Sequence, residues 1–234
     1  MTCSIKICGI TSVEDALMAS EAGADYLGVL VNVKQSPRSV SVEAASMIIA
    51  AAQIPVIVLT YDHSPDEVLM IADALHPSGV QLAGNESHAS IASLRDNIKG
   101  ELWKSLHLPL ENTDHPEPRS IADQIKNLAQ IGINKIILDT TLKRGNIILR
   151  GGTGKKCDWS LAAKIKEEVT DFLFLAGGIN PANVKEALLL VRPDGIDVSS
   201  GVERAPGKKD PSLLKRLIEE VKNLQSSDIG DYGQ

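Results

Sequence analysis

The sequence predicts a single α/β domain folded as a (β/α)₈ barrel, a TIM barrel, and three observations carry that prediction. Short apolar runs alternate with helical patterns along the whole chain, which implies right-handed crossovers and a parallel sheet. Eight such strand–helix units fit in about 220 residues, the size expected of this barrel. Apolar residues make up 43% of the 234 residues and aromatics only 3%, so the core must be Leu, Ile, Val and Ala, as buried parallel strands demand. The rival architecture is a doubly wound open sheet. It usually has fewer strands and often opens on G-x-G-x-x-G, which is missing here.

The units follow in order. Residues 4–7 read as a buried strand ending at Cys8, and Gly9 lets the chain turn. A helix follows over 13–22, with Thr11 or Ser12 as its cap and Glu14 and Asp15 in the first turn, where the dipole favours anions. Strands are predicted over 24–31 and 55–59, with a helix over 42–52 between them. Ser64 caps the next helix, to residue 74, and Pro65 suits its first position because its missing N–H would be unpaired there anyway. The fourth strand spans 79–82 and its helix 87–98. The fifth spans 101–106, although Trp103 and Lys104 interrupt its apolar run, and its helix spans 119–131. The sixth spans 135–138 and ends in Asp139, with a helix over 158–169. The seventh and eighth span 172–176 and 195–198, with helices over 183–191 and 211–224. The barrel domain is thus residues 1–225, and the polar stretch 226–234 reads as a fraying tail. Two loops stand out by length, 107–118 with three prolines and 140–156 with four glycines. The second follows a strand on the catalytic face and reads as a lid or substrate loop.

Charge and cysteines narrow the classes. A net charge of −6 argues against nucleic acid as a partner. No apolar run is long enough to span a bilayer, and no signal peptide is visible. Cys3, Cys8 and Cys157 show neither C-x-x-C pairing nor metal-ligand spacing, which fits a reduced, cytoplasmic setting.

In such a barrel, residues at strand C-termini share one mouth. Cys8, Arg38, Asp139 and Asp197 fall at or beside that mouth. Gly177 and Gly178 follow the seventh strand, and Ser199, Ser200 and Gly201 follow the eighth. Loops in those two places commonly bind phosphate, and here they offer bare backbone N–H groups and hydroxyls. The reading is a small phosphorylated substrate; the bland alternative is that these glycines only make tight turns. Cys8 has a bland reading too, as a small buried hydrophobe. Arg38 could be a solvated charge, but Ser-Pro-Arg in this loop fits an anion or ring clamp. GGTGK at 151–155 fails as a P-loop, because Leu149 stands where a glycine is required and Lys156 where Ser or Thr is. The five histidines are scattered without a strand-end pattern, so no metal site is expected.

The motifs KICGIT, EAGADYLG, SPR, VQL-G, ILDT, GGTGK-DWS, LAGGINPANV and GIDVSSGVE with PGKKD after it run through nearly the whole chain. Together they resemble the phosphoribosylanthranilate isomerase family of tryptophan biosynthesis. The resemblance implies an acid–base Amadori rearrangement needing no cofactor, with Cys8 as general base and Asp139 as general acid. It implies that Arg38, Gln81 and Asp197 contact the rest of the substrate. It also implies that Gly178, Ser200 and Gly201 lie against the phosphate. The expected assembly is a monomer or homodimer. Cys8 must be a thiolate to act as a base, so nearby positive charge is expected to depress its pKa. The chain departs from the family where it reads QLAG, with Ala83 in place of a histidine, in VNVKQ before SPR, and in the long segment TLKRGNIILR. Two alternatives stay open. One is the histidine-pathway aldose–ketose isomerase, which would have an aspartate at Cys8 and a half-barrel repeat. The other is a non-catalytic barrel that binds a phosphorylated ligand.

Overall fold

The computed structural model describes residues 3–108, 116–144, 147–150, 158–170 and 172–230. The barrel strands are β1 (Ser4–Cys8), β2 (Tyr26–Val31), β4 (Val56–Thr60), β5 (Gly79–Leu82), β6 (Glu101–Leu108), β7 (Lys135–Arg144), β9 (Leu173–Leu175) and β10 (Gly195–Val198). All eight run parallel, and β1 pairs with both β2 and β10, which closes the barrel. Three short pieces decorate it. β3 (Ser39–Val40) extends the edge beside β2, β8 (Ile147–Arg150) pairs with the end of β7, and β11 (Glu203–Ala205) with β12 (Lys208–Lys209) forms a separate two-stranded ribbon.

Among the described residues, eight α-helices form the outer ring: α1 (Val13–Ala22), α2 (Val42–Ala51), α3 (Pro65–Leu75), α4 (His88–Asn97), α5 (Pro118–Gln130), α6 (Trp159–Glu168), α7 (Val184–Val191) and α8 (Pro211–Gly230). Local chemistry starts them where the sequence signals. Ser12 accepts from Asp15 N–H at 3.2 Å, and Ser64 with Glu67 makes a reciprocal capping box ahead of Pro65. Their apolar faces pack on the strands' outer faces in one large aliphatic core. A second, small cluster of Ile57, Trp103, Ile137, Phe174 and Ala176 fills the barrel interior.

Three expectations change. Residues 140–156 are not one irregular loop: β7 runs on to Arg144 and pairs antiparallel with β8. Two runs that can extend, joined across Gly145-Asn146, carry that hairpin signal. Residues 151–157, with Cys157 and the glycine-rich run, lie outside the described residues. β6 continues through His107 to Leu108, because Trp103 turns into the barrel and Lys104, turned outward, is neutralised by Glu86 at 2.9 Å. Helix α8 continues past Leu224 to Gly230, five residues into the stretch read as a tail.

Candidate active site

Strand alternation aims Lys6 and Cys8 of β1 into the barrel. The β1–β10 register sets Lys6 beside Asp197, and their charges meet at 2.9 Å. Cys8 faces Gly28 across the β1–β2 register. A Cβ on Gly28 would sit 2.7 Å from Cys8 Sγ and 3.0 Å from Lys6 Nζ, so the bare glycine makes room for thiol and ammonium together. Cys8 is buried. Burial pushes its pKa up, and Asp197 adds to that; Lys6 and Lys209 pull the other way without prevailing. The thiol is therefore not depressed, contrary to the sequence expectation. The cations are present, but desolvation outweighs them.

Asp139 lies inside β7 rather than at its end, yet it stands at the rim. The partner β9 stops at Leu175, opposite Leu138. Thr140 N–H donates to Asp139 Oδ1 at 2.7 Å. Burial raises the Asp139 pKa to about 6, with Asp197 adding and the Thr140 N–H and Lys6 opposing. A carboxyl that still carries a share of protons near neutral pH is what a general acid requires.

Arg38 is held from the side. Its Nε donates to both Glu203 carboxylate oxygens at 2.9 and 3.1 Å, and its Nη2 to Oε2 at 2.6 Å. Lys209 Nζ reaches the same carboxylate at 2.9 Å. Gln81 Nε2 donates to Ser105 Oγ at 2.9 Å. Gln81 Oε1 and Ser199 Oγ are buried with no hydrogen-bond partner among the described residues. Buried polar atoms of that kind are uncommon in folded proteins, and both belong to residues that line the same cavity. Gly177 and Gly178 have φ of 85° and 70°, a left-handed bend that suits glycine and turns the loop after β9 toward the cavity. Ser200 opens a 3₁₀ turn, Ser200–Val202, directly after β10.

One cavity of about 700 Å³ gathers every predicted position: Cys8, Arg38, Gln81, Asp139 and Asp197, with Gly177, Gly178, Ser199, Ser200 and Gly201 from the loops after β9 and β10. Sequence reading passed over four further residues. Lys6 was findable, since it lies two residues from Cys8 on the same strand face. Glu203 and Lys209 lay within quoted motifs but had no assigned role. His107, read as a loop residue, lines the cavity beside Asp139, and its Nε2 lies 3.0 Å from Ala83 O.

Residues 5–220 match the family described as N-(5'-phosphoribosyl)anthranilate (PRA) isomerase. The N-(5'-phosphoribosyl)anthranilate isomerase of Citrifermentans bemidjiense is 37% identical over 222 residues, 94% of this chain and 97% of the relative. The solved phosphoribosyl anthranilate isomerase of Thermotoga maritima superposes with a TM-score of 0.79 at 32% identity, covering 95% of this chain and 100% of that one. A phosphoribosyl anthranilate isomerase solved with reduced 1-(o-carboxyphenylamino)-1-deoxyribulose 5-phosphate gives a TM-score of 0.76 at 30% identity, with 95% and 100% coverage. A barrel that sets Cys8 and Asp139 on one cavity and whose sequence aligns along nearly its whole length with these proteins leaves one assignment: the chain belongs to the N-(5'-phosphoribosyl)anthranilate isomerase family.

Proposed function

We propose that Cys8 and Asp139 divide the two proton transfers of the family's reaction between them. The chain is an isomerase that converts N-(5'-phosphoribosyl)anthranilate to 1-(2-carboxyphenylamino)-1-deoxyribulose 5-phosphate, a step of tryptophan biosynthesis. Asp139 gives its proton to the furanose ring oxygen. The C1–O bond breaks, and the anilino nitrogen lone pair forms an iminium. Cys8, in the thiolate form beside the Lys6 ammonium, then takes the proton from C2, and the electron pair neutralises the iminium to give an enolamine. Tautomerisation to the ketone completes the rearrangement and returns the protons.

The observation that carries this reading is the placing of Cys8 and Asp139 on one cavity, both within the field of Lys6 and Asp197. Asp139 is protonated often enough to act as an acid. Lys6 is the cation poised to hold the charge of the Cys8 thiolate: burial works against its ammonium, but Asp197 and Cys8 outweigh that and keep its pKa raised. Each positioned proton-transfer group is typically worth about 10²–10⁴ in rate. At the other end, the backbone around Gly177, Gly178 and Gly201 and the hydroxyls of Ser199 and Ser200 receive the phosphate. Gln81 and Arg38 contact the remainder of the substrate, and Asp197 sets the charge between acid and base.

A dimeric enzyme of Thermotoga maritima has been made monomeric, so either state is compatible with this barrel, and we read this chain as a monomer or homodimer. The reading places it in the cytoplasm, where such phosphorylated intermediates are made and used. Phosphoribosylanthranilate fluoresces, so purified protein should quench that fluorescence catalytically. Persistence of the signal with folded protein contradicts the assignment.

A further inference from the structure

The ribbon of β11 and β12 brings a buried lysine under the mouth. Lys209 is fully buried, and its Nζ donates to Cys8 O at 2.5 Å, Glu203 Oε1 at 2.9 Å and Ser199 O at 3.4 Å. An ammonium has three N–H donors, so all of them are committed. The backbone N–H of Lys209 approaches Asp15 Oδ2 at 3.4 Å, which ties the ribbon to α1. Glu203, opposite Lys209 in the ribbon register, also receives the Arg38 guanidinium.

We propose that Lys209 is a positioning residue for Cys8, and that Glu203 extends its hold to Arg38, so the ladder Arg38–Glu203–Lys209 sets three parts of the mouth as one unit. The inference rests on Cys8 being the base. The Cys8 carbonyl belongs to the residue that bears the thiol, so fixing that peptide fixes the direction in which Sγ points. Burying an ammonium and a carboxylate is costly, and an apolar residue of similar volume would often fill such a site at no loss of stability. A directional donor to the carbonyls of Cys8 and Ser199 is what a lysine adds there. Ser199 begins the loop that receives the phosphate, and Arg38 lines the cavity on the side of the β2 loop. Base, anion loop and guanidinium therefore share one anchor.

The test compares kcat, KM and the melting temperature of full-length Lys209→Met, Glu203→Gln and Cys8→Ser with wild type. Misplacing a reacting group by about 1 Å costs on the order of 10² in rate, so Lys209→Met should lower kcat about tenfold or more, with KM moving less than about threefold. Glu203→Gln frees Arg38 and should raise KM about tenfold while changing kcat less. A purely structural ladder would lower the melting temperature and leave both constants of the folded protein at wild-type values, and that result overturns the proposal. If Lys209→Met does not fold, Glu203→Gln decides alone: a raised KM supports the ladder, and wild-type constants overturn it. Cys8→Ser separates the two failures. Full turnover in that variant removes the base assignment and the ladder's purpose with it. An inactive Cys8→Ser beside wild-type kinetics in the other two removes the ladder alone.

Discussion

The two ends of the barrel are built from the same strands, yet their polar groups are treated in opposite ways. At the N-terminal end, Lys135 Nζ is paired with Glu101 at 2.7 Å, bonded to Tyr26 OH at 3.1 Å, and seated 4.7 Å from the Tyr26 and Trp103 ring centres. Trp103 Nε1 donates to the same Glu101 at 2.7 Å, and the Trp103 and Phe174 rings lie 5.0 Å apart. Most of the chain's few aromatic rings collect there, each polar tip answered. At the C-terminal end, Gln81 Oε1 and Ser199 Oγ have no hydrogen-bond partner among the described residues, and Asp139 and Cys8 hold their protons more tightly than in water. An end whose polar groups are paired stabilises, and an end with unpaired buried groups and shifted titrations is where chemistry is placed. The barrel spends stability at the mouth that it gains at the base.

That contrast breaks most sharply if the mouth residues prove dispensable. Cys8→Ser and Asp139→Asn should each lower kcat by about 10²–10⁴, measured by substrate fluorescence, while far-UV circular dichroism stays native. The base of the barrel should answer in the other way. Trp103→Ala removes a wholly buried ring and should destabilise the fold by about 3–5 kcal/mol in urea unfolding, with KM of the folded protein unchanged. A kinetic defect without loss of stability in Trp103→Ala would erase the distinction between the ends.

A subtler test uses the cost of the mouth itself. The Asp139 pKa stands at 3.8 in an ordinary setting and about 6 here, so the folded state binds its proton more tightly than the unfolded state does. That contribution to stability is present below about pH 4 and is lost as pH rises through about 6. The shift corresponds to up to about 3 kcal/mol. Asp139→Asn has no proton to lose, so its melting temperature should gain on wild type as pH goes from 4 to 8. A difference independent of pH would mean that the carboxyl is not strained by burial. The smallest effect concerns the anion end. Ser200→Asp places a carboxylate in the loop proposed to receive the phosphate and should raise KM about tenfold, equivalent to about 1.4 kcal/mol.

The fold was legible because it rests on local signals. The short apolar runs of the strands, the caps at Ser12 and Ser64 and the glycine turns each act within a few residues. The gathering of Cys8, Asp139 and the loops after β9 and β10 on one cavity was legible for a related reason: each stands at or beside the C-terminal rim of the barrel, and those positions share a mouth. What was not legible depends on register and burial. The Lys6–Asp197 pair exists only because β1 and β10 align, and the two residues are far apart in sequence. The Glu203–Lys209 ribbon needs a turn that nothing in the apolar pattern announces. Cys8 was expected to be depressed by cations, and the cations are there; the sign of its shift depends on how much water the barrel excludes, which no motif records. His107 was hidden because its strand was ended early at Leu106.

The central claim is that Cys8 and Asp139 act in different steps, and substrate deuterated at ribose C2 tests it most directly. Removing the base makes C2 proton abstraction slow, so Cys8→Ser should show a large primary isotope effect on kcat. Removing the acid makes ring opening slow, a step that leaves the C2 bond intact, so Asp139→Asn should show an isotope effect near unity. The reverse pattern, or equal effects in both variants, would contradict the division of labour between β1 and β7.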